Sequence, residues 1–260
     1  MPHISFSALK TWDECPYKFK LLYQDRIEEF RGNAYTAFGS AMHEVCEKTL
    51  LGEFKNDDAS ANFKSIFVRE LKSLPLEIKT NIDESLVKKM LHQGLALAPL
   101  AIPYLNEHFG SYEIISSEEQ LFEPITEFKK EDYDFKGFID LVLKTPDGKY
   151  HIVDWKTCSW GWDSRRRTDP MTNYQLTLYK HYYSQKHNID PSLVETYFAL
   201  LKRTASKDRV EIFKITSGTR KTNNALNLLN KALHNIDKEN FIKNRMSCMT
   251  CGFKDTKYCK

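Results

Sequence analysis

Nowhere do the 260 residues run to the roughly 20 consecutive apolar positions that a membrane-crossing helix requires. The opening stretch, MPHISFSALKTWDECPYKF, also lacks the apolar segment and small-residue cleavage site of a secretory signal. Together these absences predict a soluble, cytoplasmic protein with no membrane partner. Charge of one sign is missing too: 38 Lys and Arg face 35 Asp and Glu, a net charge of +3. That balance is too even to announce a nucleic-acid binder by itself, so local patches must decide. There is no internal repeat, no low-complexity linker and no G-x-x-x-x-G-K-[ST] phosphate loop. A P-loop motor within this chain is therefore excluded.

What is present is enough apolar material, 41% of residues, to bury a sizeable core. Residues 1–110 read mainly as helices, with Ser5 or Ser7 as a first cap, apolar positions at helical spacing over Ala37–Leu51, and breaks near Pro75 and Pro103. From Tyr112 the pattern changes to β-branched and aromatic runs: YEIISSEEQLF, YDFKGFIDLVL and KYHIVDWKT. A helix over Asn173–Gln185, strands VETYFALL and DRVEIFKI, and a helix over Arg220–Asn240 complete an α/β core with a mixed sheet, residues 111–240. Residues 241–260 form a cysteine-rich tail. The expectation is one domain over 1–260, with the helical section packed on the core.

The stretch GFIDLVLKTPDGKYHIVDWKT places charges inside apolar strands. Thr145-Pro146-Asp147-Gly148 suits a hairpin with a three-residue loop, in which Thr145 faces Lys149. Counting back, Asp140 lies across from Asp154, while strand parity puts Asp154 and Lys156 on one side and Val153 and Trp155 on the other. Adjacent carboxylates repel unless water screens them or a cation sits between them. Oxygen ligands favour Mg²⁺ or Mn²⁺, and a lysine beside such an ion suits phosphodiester hydrolysis. A bare D-x-K is also what a solvated salt bridge on an edge hairpin looks like.

The order of motifs resembles the PD-(D/E)XK nucleases of the RecB-like branch, which includes the AddB nuclease domain and CRISPR adaptation nucleases. The matching elements are G-S-A-M-H (Gly39–His43), G-F-I-D (Gly137–Asp140), D-W-K (Asp154–Lys156) and Q-x-x-x-Y (Gln175–Tyr179). The proline of the family's name is missing before the first Asp, as is usual in this branch. The resemblance implies a restriction-endonuclease-like mixed sheet flanked by helices. It implies His43, Asp140, Asp154 and the Trp155 carbonyl as metal ligands, Lys156 as the catalytic lysine, and Gln175 and Tyr179 as residues that place DNA or the lysine. Glu119 is a further candidate ligand, with Glu118 nearly as plausible.

Cys248, Cys251 and Cys259 stand as C-x2-C-x7-C in the tail, with Cys15 near the other end. Four thiolates suit a zinc ion or an iron–sulfur cluster, and spacing does not choose between them. The resemblance to AddB-type nucleases implies a 4Fe-4S cluster that staples the chain ends. Cys46 and Cys158 read as buried small residues.

After D-W-K comes WGWDSRRRTDP, where Arg165, Arg166 and Arg167 could hold phosphates and Trp160 or Trp162 could stack on an unpaired base. Lys202 and Arg203 are similar and weaker candidates. No base-reading motif is present, so binding through the DNA backbone is expected. The implied function is a Mg²⁺- or Mn²⁺-dependent deoxyribonuclease. It would be an exonuclease on single strands or strand ends in recombination, repair or phage DNA processing, in a bacterial or phage-infected host cytoplasm. Any helicase or recombination partner would be a separate protein. The competing expectation is a non-catalytic nucleic-acid-binding or assembly module held by zinc or an iron–sulfur site.

Overall fold

The computed structural model describes residues 2–27, 32–126 and 133–260. A short strand β1 (His3–Ser5) runs into helix α1 (Phe6–Glu14), whose first turn Ser5 caps by accepting from the Ala8 amide at 3.1 Å. Helix α2 (Pro16–Phe19) continues into a π turn over Lys20–Gln24. Then follow α3 (Ala34–Leu50), α4 (Ala59–Ser73), the single turn α5 (Leu76–Lys79), α6 (Glu84–Leu97) and α7 (Ala101–Phe109). The expected break at Pro75 lies between α4 and α5. Pro103 breaks nothing: it sits in the first turn of α7, where its missing N–H is not needed, and the interruption falls earlier, in a 3-10 turn over Ala98–Leu100.

Strands β2 (Glu113–Pro124), β3 (Asp134–Lys144) and β4 (Tyr150–Cys158) come next. Helices α8 (Ser164–Thr168) and α9 (Pro170–His187), strands β5 (Val194–Lys202) and β6 (Val210–Ile215), and helix α10 (Thr219–Asp237) complete the core. α8 forms from a segment that reads as a loop, because the Asp163 side chain caps it through the Arg166 amide at 2.8 Å.

These strands form one six-stranded mixed sheet, the α/β fold expected from the sequence. β2 pairs antiparallel along one edge of β3. The other edge of β3 is shared: β1 pairs in parallel at residues 134–136, and β4 pairs antiparallel at residues 141–144. Residues 137–140 face neither partner, which leaves a notch in the sheet. β5 pairs in parallel with β4, and β6 antiparallel with β5. β1 escapes a sequence reading because a strand of three residues carries no periodicity.

Helices flank both faces. Phe38, Phe63, Phe67, Met90, Leu97 and Leu105 of α3, α4, α6 and α7 pack on one face against Leu141, Val153 and Trp155. Leu9, Trp12, Leu176, Tyr182 and Leu229 of α1, α9 and α10 pack on the other against Phe135, Ile139 and Ile152. Each strand is thus buried from both sides. The α4–α6 contact is so close that a Cβ on Gly94 would lie 2.0 Å from the Phe63 ring.

Candidate active site

The notch begins where the β3–β4 ladder stops. Its register runs from Lys144↔Tyr150 to Leu141↔Val153, and the loop closes as the turn chemistry requires. The Thr145 amide donates to Lys149 O at 3.0 Å, and Gly148 takes φ +83°. One step beyond the last pair, Asp140 and Asp154 would face each other. The strands part there instead, and the Trp155 amide donates to Asp140 Oδ2 at 2.7 Å. The carboxylate takes the place of a backbone partner.

β3 also turns at this point. Ile139 and Val142 pack in one helical layer and Leu141 and Leu143 in the other, whereas strict alternation would put Ile139 and Leu141 together. Across the β2–β3 ladder, the pairs Ser117↔Leu141 and Glu119↔Ile139 put Glu118 opposite Asp140. Glu118 adopts φ +50°, a left-handed conformation uncommon for a residue with a side chain. α3 supplies the third member: His43 Nδ1 lies 3.5 Å from Asp140 Oδ2. One ligand atom each from His43, Glu118 and Asp140 fall within 4.8 Å of one another.

From the other side of the notch, Lys156 Nζ sits 2.6 Å from Asp154 Oδ2. Gln175 Nε2 on α9 donates to Asp154 Oδ1 at 2.9 Å and lies 3.3 Å from the Tyr179 hydroxyl, one turn further on. Gly137 makes room for this: a Cβ there would meet the Tyr179 ring at 2.8 Å.

The electrostatics are those of a cation site. Burial pushes the Asp140 carboxyl well above its usual range and the Asp154 charge pushes the same way, against Lys156. Burial raises Glu118 as well, helped by Glu47 and Asp154. Burial lowers His43, opposed by Asp154 and by the Trp155 carbonyl in hydrogen-bonding range. Burial alone would lower Lys156, but Asp154 and Asp140 outweigh it and hold the amine up. Crowded carboxylates, buried at Asp154 and exposed at Glu118, beside a neutral imidazole fit a divalent cation, whose charge would relieve their repulsion.

One expectation changes. Glu119 does not join the site; it points to the α9 layer, where it meets Lys186 Nζ at 2.8 Å and His187 Nε2 at 2.6 Å. Its neighbour Glu118 takes the place, since the positive φ reverses strand parity. The Trp155 side chain belongs to the core, so only its backbone faces the site. Glu47, one helical turn past His43, is a site neighbour that the motifs did not point to; its i,i+4 spacing on α3 is the signal that was there to find.

The candidate DNA residues separate. Trp162 is 6% exposed and packs on Phe198, so it is not free to stack on a base. Arg167 is tied to Glu211 at 2.7 Å and to the Trp162 carbonyl at 2.8 Å. Trp160, 77% exposed, lines an open cleft of about 540 Å³ with Arg165 and Arg166. The Arg166 guanidinium lies over Trp162, and its charge reaches Lys156.

Far along the chain, Cys15, Cys248, Cys251 and Cys259 line one cavity of about 380 Å³. The two ends are tied around it: the Asn244 amide donates to Cys15 Sγ at 3.4 Å, Asn244 Nδ2 to Glu14 O at 2.8 Å, and Tyr17 OH to Tyr258 O at 3.2 Å. None of the four forms a disulfide with a described residue. Cys46 lies buried on α3 and Cys158 at the end of β4.

The fold, a mixed sheet split at a carboxylate–lysine site, defines the class. A family model described as the PD-(D/E)XK nuclease superfamily matches residues 3–259, and the chain belongs to that superfamily. Among solved structures, a "putative exonuclease" from Eubacterium rectale is similar with a TM-score of 0.60 at 13% identity, over 96% of this chain and 85% of that one. At that identity the likeness speaks for the fold. SSO0001 aligns with a TM-score of 0.44 at 14% identity, over 96% of this chain and 83% of that one. No curated protein matches the sequence. Among the described residues, no helix is long and apolar enough to cross a membrane.

Proposed function

We propose that this chain is a Mg²⁺- or Mn²⁺-dependent deoxyribonuclease of the RecB-like branch that acts as an exonuclease on strand ends, in recombination, repair or phage DNA processing. The observation that carries the reading is the notch itself. His43, Glu118 and Asp140 gather on one side of it, and Asp154, Lys156 and Gln175 on the other. His43, Glu118, Asp140 and Asp154 would hold the metal, with the Trp155 carbonyl at the rim. An ion held there would supply Lewis-acid polarisation of a phosphoryl oxygen and a more acidic water as nucleophile.

The protein's own part follows from its geometry. Lys156, held protonated by two carboxylates, donates to the phosphoryl oxygen where charge builds. Gln175 fixes the rotamer of Asp154, and Tyr179 braces Gln175. Trp160, Arg165 and Arg166 face the incoming strand beside Lys156. Arg167 and Trp162 hold that loop in shape.

The terminal cysteines carry a 4Fe-4S cluster in this reading. Four thiolates suit such a cluster or a zinc ion, all four line one cavity, and the resemblance to AddB-type nucleases favours the cluster. The 260 residues then act as one nuclease domain stapled between Cys15 and the cysteine-rich tail.

The test is degradation of labelled linear single- and double-stranded DNA with manganese, with EDTA and Asp154→Ala as controls and circular DNA as the end-free substrate. Loss of linear DNA alone is expected. A cluster-loaded protein that binds DNA and leaves it uncut with every divalent metal overturns the reading and favours a binding module.

A further inference from the structure

Two arginines gather where β4, β5 and α6 meet. The Arg203 guanidinium donates from Nη1 to Gln93 Oε1 at 3.3 Å and from Nη2 to Ser159 Oγ at 3.2 Å. Arg209 Nη2 donates to the Gln93 carbonyl at 3.4 Å and to the Arg203 carbonyl at 2.8 Å. Among the described residues neither forms an ion pair with a carboxylate. The nearby carboxylate of Glu211 is already taken by Arg167 and Lys202. Arg203 is only 9% exposed and lies against Tyr35 and Phe38, with ring centroids at 5.0 and 5.5 Å. A desolvated cation beside a second cation is costly unless an anion completes the site.

The position points to the anion. Arg203 is hydrogen-bonded to Ser159, three residues past Lys156 on the same chain, a step of about 10 Å at strand rise. Tyr35 precedes His43 by eight residues on α3, about 12 Å at helical rise. Gly39 packs on Thr157 between them, so the two routes run side by side. Both lead from the metal-ligand cluster to the same pair of guanidiniums. Tyr35, 49% exposed, covers Arg203 with an aromatic face.

We propose that Arg203 and Arg209 form a phosphate subsite for the nucleic-acid strand next to the scissile position, with Tyr35 as a stacking platform over it. Gln93 and Ser159 hold the Arg203 fork open for a bidentate phosphate contact. The subsite rests on the nuclease reading and names the chemistry by which that site holds its substrate: the backbone phosphate, without regard to base.

Binding of a labelled oligothymidylate in calcium, across a salt series, tests it for wild type, Arg203→Gln, Arg203→Lys and Arg209→Gln, with thermal melts as a fold control. For single strands each lost phosphate contact removes about 0.7 from the slope of log affinity against log salt. Arg203→Gln and Arg209→Gln should each show that decrement and bind about tenfold more weakly at low salt. Arg203→Lys should keep the slope and lose part of the affinity. Folded glutamine variants with wild-type slope and affinity overturn the subsite, and so does a wild type that does not bind the oligonucleotide. If Arg203→Gln does not fold, Arg209→Gln, at the more open of the two positions, decides. Failure here alongside a wild type that cuts DNA removes the subsite and leaves the nuclease reading standing.

Discussion

At the scale of single residues, the proposed metal site turns on which of two adjacent glutamates would serve as a ligand. Glu118 faces His43 and Asp140, and Glu119 faces Lys186 and His187. Glu118→Gln is therefore expected to weaken manganese binding by tenfold or more, on the order of a lost ligand or outer-shell partner, while Glu119→Gln leaves it unchanged. Titration followed by the manganese paramagnetic signal checks both. Gln175→Leu should lower cleavage about 10- to 100-fold by freeing Asp154, with binding of DNA in calcium preserved. The motifs picked out Asp140, Asp154, Lys156 and His43 from residue type and order, and the fold brings the four to one notch. They did not separate Glu118 from Glu119, because strand parity assumes negative φ and Glu118 sits at +50°. Nor could they tell Trp160 from Trp162, whose difference is tertiary: Trp162 packs on Phe198, whereas Trp160 is 77% exposed.

At the scale of elements, the β3–β4 hairpin was legible because its turn and its alternation agree. Pro146 and Gly148 set the loop, and the predicted pairing of Thr145 with Lys149 carries through to Leu141↔Val153. Its split at Asp140 was not legible, since a ladder that stops one residue early leaves no mark on the pattern. Gly137→Ala tests what the split requires. The new methyl group meets the Tyr179 ring, so a loss of about 1 to 3 kcal/mol is expected in denaturant unfolding, together with reduced cleavage. The three strands β4, β5 and β6 are also linked at Glu195. Burial would raise its carboxyl, but Lys214 at 2.7 Å, Tyr197 at 2.7 Å and Lys149 hold it at about 2, below the usual 4.5. A depressed folded pKa means that the unfolded chain takes up the proton first. The stabilisation is therefore complete above pH 4.5 and lost as pH falls toward about 2. Thermal melts of Glu195→Gln should lie below wild type at neutral pH and converge with it across that window.

At the scale of the whole molecule, the helical section, the α/β core and the tail each followed from periodicity and composition, and the mixed sheet followed from their order. The meeting of the two ends was legible in the cysteine pattern and the family resemblance, not in the order of elements. Cys15 and Cys248 are 233 positions apart, yet they line one cavity. A ligand set drawn from both ends closes nearly the whole chain into one loop, and its loss frees the ends. Cys248→Ser should bleach the visible iron–sulfur absorbance of anaerobically purified protein and lower its Tm by several degrees; a colourless wild type with stoichiometric zinc would assign the site to zinc instead.

The central claim is that the split hairpin is a metal-dependent phosphodiesterase site. The most direct measurement is the rate of linear DNA degradation in manganese for wild type and Asp154→Ala, with both proteins shown to fold and to bind DNA in calcium. The account predicts degradation by wild type that EDTA abolishes, and a fall of about 10³-fold or more in the variant. Equal rates in the two proteins, or none from a DNA-binding wild type with any divalent metal, would contradict it.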